Sequence, residues 1–262
     1  MAPVSRSDHR PMFHSTLPEG APDLMRASDF RRYLADGGAP ATGSGTGALR
    51  PSRLGDLPES LMQDLLRFEH TDRHGELVEV LAACVRHTQD LAIHLQWTGF
   101  VLTLSVFPTQ RVAYSPVPMA EVLAGTLSAL EVLQVERATL RPPGHSDAAL
   151  VGEAALYHPL NPVLWTIALR GPRDTLLPEI SGQAAYRVAP GLLMNGLDIP
   201  AALASCISRL RRQTCNLREI CAMPGMDRSR AARLLNALYL QSGLIVSRTH
   251  PAATNEGWFG YR

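Results

Sequence analysis

Hydrophobic residues recur along the chain with two periods, and the switch between them sets out the expected elements. Leu24, Met25, Phe30, Tyr33 and Leu34 make a short amphipathic piece, expected as a helix over 24–35 that Ser28 caps and Asp36-Gly37-Gly38 ends. Leu61, Leu65, Leu66 and Phe68 predict one helix. Leu77, Val78, Val80, Leu81, Cys84 and Val85 predict a second, at spacings of three and four. The period then becomes two: Leu91, Ile93, Leu95 and Trp97 alternate with Ala92, His94 and Gln96, the mark of a strand. Thr98-Gly99 reads as a turn, 100–107 as a second strand and Val112 to Tyr114 as a third. Val122, Leu123, Leu127, Leu130 and Val132 return to helical spacing, so a helix is expected over 118–135.

A Pro-rich connection over 141–162 precedes a helix through Leu169, with Asn161 as its expected cap. Gly171-Pro172 stops that helix, a short one is expected from Arg173 to Ile180, and Ala185 to Val188 reads as a strand. Next come helices over Ile199 to Arg211 (capped by Asp198), Leu217 to Met223, and from Asp227 through Gln241. Leu244 to Val246 then forms a β run, with Trp258, Phe259 and Tyr261 as its expected return strand. Three helices followed by a hairpin is the order of a winged helix.

The expected fold is therefore α+β: helices on a small antiparallel sheet, followed by a C-terminal winged-helix-like domain. Residues 1–58 read as a flexible tail, the short amphipathic helix and a Gly-rich linker, since 37–58 hold six Gly and three Pro. The α+β domain is expected over 59–140, connecting helices over 141–195 and the winged-helix-like domain over 196–262.

Composition narrows the function. Of 262 residues, 45% are hydrophobic and 19% charged, which excludes a chain disordered throughout. No apolar run reaches the ~18 residues of a membrane span, so no membrane insertion is expected. The start, MAPVSRSDHRP, has no apolar stretch behind its first charges. Four Cys with no pairing pattern fit a reducing compartment, so a cytoplasmic location is expected.

All 25 basic residues are Arg, so Arg excess alone is no sign of phosphate binding. The net charge of +1 nevertheless hides an asymmetry. Residues 201–262 carry nine Arg against three acids, a net of +6, which leaves −5 for the first 200. A basic winged helix is a DNA-binding candidate. In its third helix Ala231, Leu234, Leu235 and Leu238 form the inward stripe, and Ser229, Arg230, Arg233, Asn236, Ala237 and Leu240 the expected outer face. Ser, Arg and Asn read bases or phosphates, whereas Ala237 and Leu240 suit a second domain or a protein partner. Leu24, Phe30, Tyr33 and Leu34 are the expected docking face of the N-terminal helix, in cis or on a partner.

No catalytic, cofactor or metal site is expected. His70 and His74, and Cys84 and His87, have helical spacings able to hold zinc, but charged neighbours surround the first pair and Cys84 falls on the apolar stripe. Gly144-His145-Ser146-Asp147 are adjacent and cannot face one another as a triad. Neither common phosphate-loop motif occurs.

The stretch HGELVEVLAACVRHTQDLAIHLQWTGFVLTLSVFPTQRVAYSP resembles the PatA N-terminal (PATAN) type of domain, with an LxxLL-like helix followed by hydrophobic strand, turn and hydrophobic strand. HPLNPVLWTIALRG resembles the helix before that family's C-terminal portion, and NLREICAMPGMDRSRAARLLNALYLQSGLIV is similar to its closing segment. The resemblance covers about residues 75 to 247. It departs where Gln89-Asp90 and Thr109-Gln110 stand in place of the family's glycines. It implies a non-enzymatic bacterial signalling or regulatory adaptor that binds proteins, with no catalytic residues.

Overall fold

The computed structural model describes residues 24–36, 57–69 and 76–253. The expected tail over 1–23, most of the linker, His70, His74 and the return strand at Trp258, Phe259 and Tyr261 lie outside them. The architecture is α+β. A five-stranded antiparallel sheet has the order β4-β1-β2-β3-β5, where β1 is Leu91–Trp97, β2 Phe100–Phe107, β3 Val112–Tyr114, β4 Glu131–Arg137 and β5 Tyr157–Pro159. A smaller three-stranded sheet has the order β7-β6-β8, formed by Cys215–Asn216, Ala185–Val188 and Leu244–Ser247.

Alternation makes the large sheet two-faced. Leu91, Ile93 and Leu95 of β1 and Leu102, Leu104 and Val106 of β2 face the main core. Helices α2 (Glu59–Glu69), α3 (Glu76–His87) and α5 (Leu160–Arg170) supply Leu61, Leu65, Leu81, Leu164 and Trp165 to the same core. That core continues without a break into the C-terminal part through Leu210, Ile220, Leu234 and Leu238. The opposite face of the sheet carries α1 (Ala27–Asp36), whose Ala27 and Phe30 bury against Val101, beside Leu34 and Leu133.

Several expectations need correction. The first helix starts at Ala27, not Leu24, and Ser28 lies inside it. Residues 24–26 are held straight by the hairpin instead: the Val101 N–H donates to the Met25 carbonyl (2.8 Å) and the Ala27 N–H to that of Gly99 (2.9 Å).

The expected helix over 118–135 ends after α4 (Met119–Ala124), because Gly125 is extended, and Glu131–Arg137 becomes β4. Pairing with β1 from Leu91↔Arg137 to Gln96↔Glu131 satisfies an edge that a helix there would leave open.

Asn161 does not cap α5, which starts at Leu160 after Pro159; its side chain accepts from Arg111 and its carbonyl from Gln241 (2.9 Å). Likewise Asp198 does not cap α6 (Ala201–Arg212), and its carbonyl accepts from the Trp165 indole at 2.9 Å.

Finally, Arg173 to Ile180 form no helix. The Arg173 guanidinium donates to the carbonyls of Thr175 (3.1 Å) and Leu176 (2.8 Å) and pairs with Glu79, which holds the segment as a strap.

The C-terminal order is α6, β7, α7 (Leu217–Cys221), α8 (Arg228–Leu240), β8. Asn216 and Glu219 form a reciprocal capping box on α7, and the Asp227 side chain caps α8 as expected. The middle strand of the small sheet is β6, from before residue 196, so this sheet draws its centre from the connecting segment.

Candidate functional site

Helix α8 is where the sequence placed an outer face, and half of that face is inside the protein. Asn236, Ala237 and Leu240 are fully buried. The cause is that α8 lies against α5 and beneath the 171–184 strap, so an apolar covering lies on both its sides. Asn236 is satisfied there: its Oδ1 accepts from the Leu177 N–H and its Nδ2 donates to the Thr175 carbonyl, both at 2.9 Å. Asn236 and Leu240 are therefore corrected from surface positions to core positions. Ser229 and Arg233 are half-buried and Arg230 is exposed, all in the first half of the helix.

Arg230 and Arg233 line a cavity of about 490 Å³ between α5, α6 and the start of α8. Trp165, Leu169 and Leu203 contribute its apolar wall, and Arg170 from the end of α5 adds a third guanidinium. Asp198 is the acidic residue in the lining. Each arginine is anchored by a carbonyl: Arg170 donates to Leu123 (2.8 Å), Arg230 to Gly225 (2.9 Å) and Arg233 to Leu169 (3.1 Å). The Arg233 Nε is buried without a hydrogen-bond partner. Sequence reading named Arg230 and Arg233 but missed Arg170, Trp165 and Asp198, because they converge only when α5 and α6 pack beside α8.

A second polar cluster lies at the C-terminal end of α3. Asp64 Oδ2 is 2.6 Å from His87 Nε2 and also pairs with Arg86, which reaches Glu179 at 3.0 Å. Ser60 Oγ sits 3.5 Å from the other His87 ring nitrogen. A hydroxyl, an imidazole and a carboxylate thus meet, a set that sequence spacing did not reveal. Arg86 shares the Asp64 carboxylate, and the whole cluster ties α2 and the 171–184 strap to α3. Burial pushes the Asp64 carboxyl up, but His87 and Arg86 outweigh it, and the net effect holds it below its ordinary value. Cys84 does not join His87: its thiol donates to the Gln89 carbonyl at 3.1 Å. Among the described residues no group of three His, Cys, Asp or Glu is placed to hold a metal. His145 accepts from the Asp147 N–H (3.1 Å), as in a polar loop.

The N-terminal docking face is used within the chain. Phe30 is buried and stacks at 5.2 Å on His94, and Leu34 is half-buried. Leu24 packs against the main core as a partly buried residue. Tyr33 is half exposed, with its ring centroid 6.4 Å from that of Phe30. Arg31 pairs with Glu131 of β4 at 2.9 Å.

No family model, curated protein or solved structure matches this chain. No helix among the described residues is long and apolar enough to cross a membrane.

Proposed function

We propose that the protein is a non-enzymatic regulatory adaptor of PATAN-like bacterial type, cytoplasmic, acting through protein-protein contact, with its winged-helix-like C-terminal part serving as scaffold. The observation that carries this reading is the burial of Asn236, Ala237 and Leu240. A third helix that reads a DNA groove must offer its outer face to the bases, and here the C-terminal half of that face is buried, with Asn236 hydrogen-bonded to the 171–184 strap. The same region offers a protein partner something else. Strand β8 is the edge of its sheet among the described residues, and Ile245 on it and Leu193 before α6 are exposed. An open edge with apolar neighbours can accept a strand from a partner.

A DNA-binding regulator is the second reading, favoured by the +6 charge of residues 201–262. The two are separated by affinity capture from the native host with wild-type and Ile245→Asp protein, alongside gel shifts with genomic fragments at two salt concentrations. The adaptor reading expects a protein retained by the wild type, lost with Ile245→Asp, and no retained fragment. Tight, salt-sensitive retention of one fragment, weakened by Arg230→Ala, overturns it. Leu240 is unsuitable as a probe, since a charge at a fully buried site would unfold the protein.

A further inference from the structure

We propose that the cavity between α5, α6 and α8 is a binding site for a small anionic ligand with an apolar or aromatic body, of the carboxylate or phosphate-ester class. This goes beyond the adaptor reading and does not depend on it.

Three features of the cavity converge on that chemistry. The first is charge. Arg170, Arg230 and Arg233 come from two different helices to one cavity whose lining holds a single acidic residue, Asp198. The lining therefore carries a net charge of +2. Outside the lining, Asp227 caps α8 through its Oδ1 while its Oδ2 lies 3.7 Å from Arg230 Nε, a long and exposed pair that leaves the guanidinium's terminal nitrogens facing other partners. Arg230 and Arg233 each donate to a single carbonyl and Arg170 to two, Leu123 and Gly125, which leaves donors of each guanidinium for a ligand. A guanidinium fork matches a carboxylate or phosphate in shape as well as charge.

The second feature is helix polarity. The α6 N-terminus borders the same cavity through Pro200, Ala202 and Leu203, and no side chain caps it. The first-turn N–H groups of a helix have no intrahelical partner and carry partial positive charge, so they favour an anion. Pro200, not Asp198, stands at the N-cap of α6, and the Asp198 backbone carbonyl accepts from the Trp165 indole. Gly225 brings the α8 turn close to α6: a Cβ there would stand 3.0 Å from that of Ala202, so both helix starts crowd one wall.

The third feature is the wall itself. Trp165, Leu169 and Leu203 supply an apolar surface next to the charges, and about 490 Å³ lies within the range of small-molecule sites. A bare inorganic anion would leave that surface wet, whereas an apolar body would cover it. A nucleic-acid backbone needs an open track of charge, not a cavity walled by three helices.

The test uses the full chain and the fluorescence of 8-anilinonaphthalene-1-sulfonate, an aromatic anion, with four competitors: phenylbutyrate, phenyl phosphate, neutral phenylbutanol and inorganic phosphate. The proposal expects one bound probe, displaced by phenylbutyrate or phenyl phosphate. The stronger of those two tells a carboxylate ligand from a phosphate ester. Phenylbutanol and inorganic phosphate should each compete at least about tenfold more poorly, as the loss of a charge-assisted pair or of apolar cover requires. Arg230→Gln and Arg233→Gln should each weaken probe binding about tenfold, and Thr166→Trp, which fills the cavity from α5, should abolish it. Arg230 is 62% exposed, so Arg230→Gln tests binding even if Arg233→Gln fails to fold. Equal competition by phenylbutanol, full competition by inorganic phosphate, or unchanged binding in Arg230→Gln and Thr166→Trp would each overturn the proposal.

Discussion

The Asn236 side chain in the middle of α8 accepts a hydrogen bond from the backbone N–H of Leu177, 59 residues earlier, at 2.9 Å. Its amide also returns a bond to the Thr175 carbonyl. One carboxamide thereby bonds one donor and one acceptor of a strap that forms no helix or strand there. Asn236→Ala should cost about 1–3 kcal/mol, because the buried Leu177 N–H is left unpaired while the Thr175 carbonyl keeps its bond from Arg173. Urea unfolding monitored by circular dichroism measures this, and a loss under about 1 kcal/mol would mean that water replaces the amide.

Asp64 and Glu79 should shift stability in opposite pH directions. His87 and Arg86 hold the folded Asp64 carboxyl below its ordinary value despite burial. Its contribution is therefore present above the unfolded aspartate value and is lost as the pH falls through the lower folded one. Burial pushes the Glu79 carboxyl up, and Arg173 only partly offsets it. Its contribution is full below the unfolded glutamate value and is lost as the pH rises through the raised one. Asp64→Asn should thus lose stability at pH 7 and converge on the wild type in acid, whereas any deficit of Glu79→Gln should be largest in acid, where the wild-type carboxyl is neutral, and shrink as the pH rises to neutral. Urea midpoints at pH 3 and pH 7 separate these; a gap for Asp64→Asn that grows in acid would contradict the assignment.

The thiols of Cys84 and Cys206 should be inert in the native protein. Burial pushes the Cys206 thiol up to about 11 and raises that of Cys84 further. The thiolate is the reactive form, so at pH 8 neither should react with a disulfide reagent on the timescale at which the urea-unfolded chain reacts fully. Mass spectrometry of the labelled protein identifies the sites, and rapid native labelling at Cys206 would refute its burial.

Phe30→Ala should release α1 from the sheet. Phe30 is 8% exposed and belongs to a small cluster separate from the main core. Its truncation should cost about 1–3 kcal/mol, below the usual large-to-small loss, because the site lies near the surface and can relax. Amide exchange over residues 27–36 should accelerate far more than over β1, and uniform acceleration would show that α1 is integral to the global fold.

Thr98→Asn should stabilise the protein by about 0.5–1 kcal/mol. Thr98 and Gly99 both have positive φ, 48° and 85°, as the tight hairpin between Trp97 and Phe100 demands. A β-branched residue is strained there, whereas Asn tolerates the left-handed region. Thermal unfolding checks this, and a lowered midpoint would show that the Thr side chain contributes something Asn cannot supply.

Local pattern was sufficient for much of the fold. Period-two alternation at Leu91 to Trp97, the positive-φ turn at Thr98-Gly99 and the Asp227 cap of α8 are all decided within a few residues by sterics and by backbone donors that need a partner. Pattern misled where two periods fit the same residues. Val132 and its neighbours satisfy a helix until β1 offers an unpaired edge, and long-range hydrogen bonding then settles on β4. The candidate site lay beyond sequence reading for a related reason. Amphipathicity shows that α8 has an apolar stripe but not what covers its other side, because that depends on α5 and a strap held by Asn236, Arg86 and Arg173. Arg170 and Arg233 are 63 positions apart in the chain, and only the packing of α5 on α8 brings their charges to one cavity.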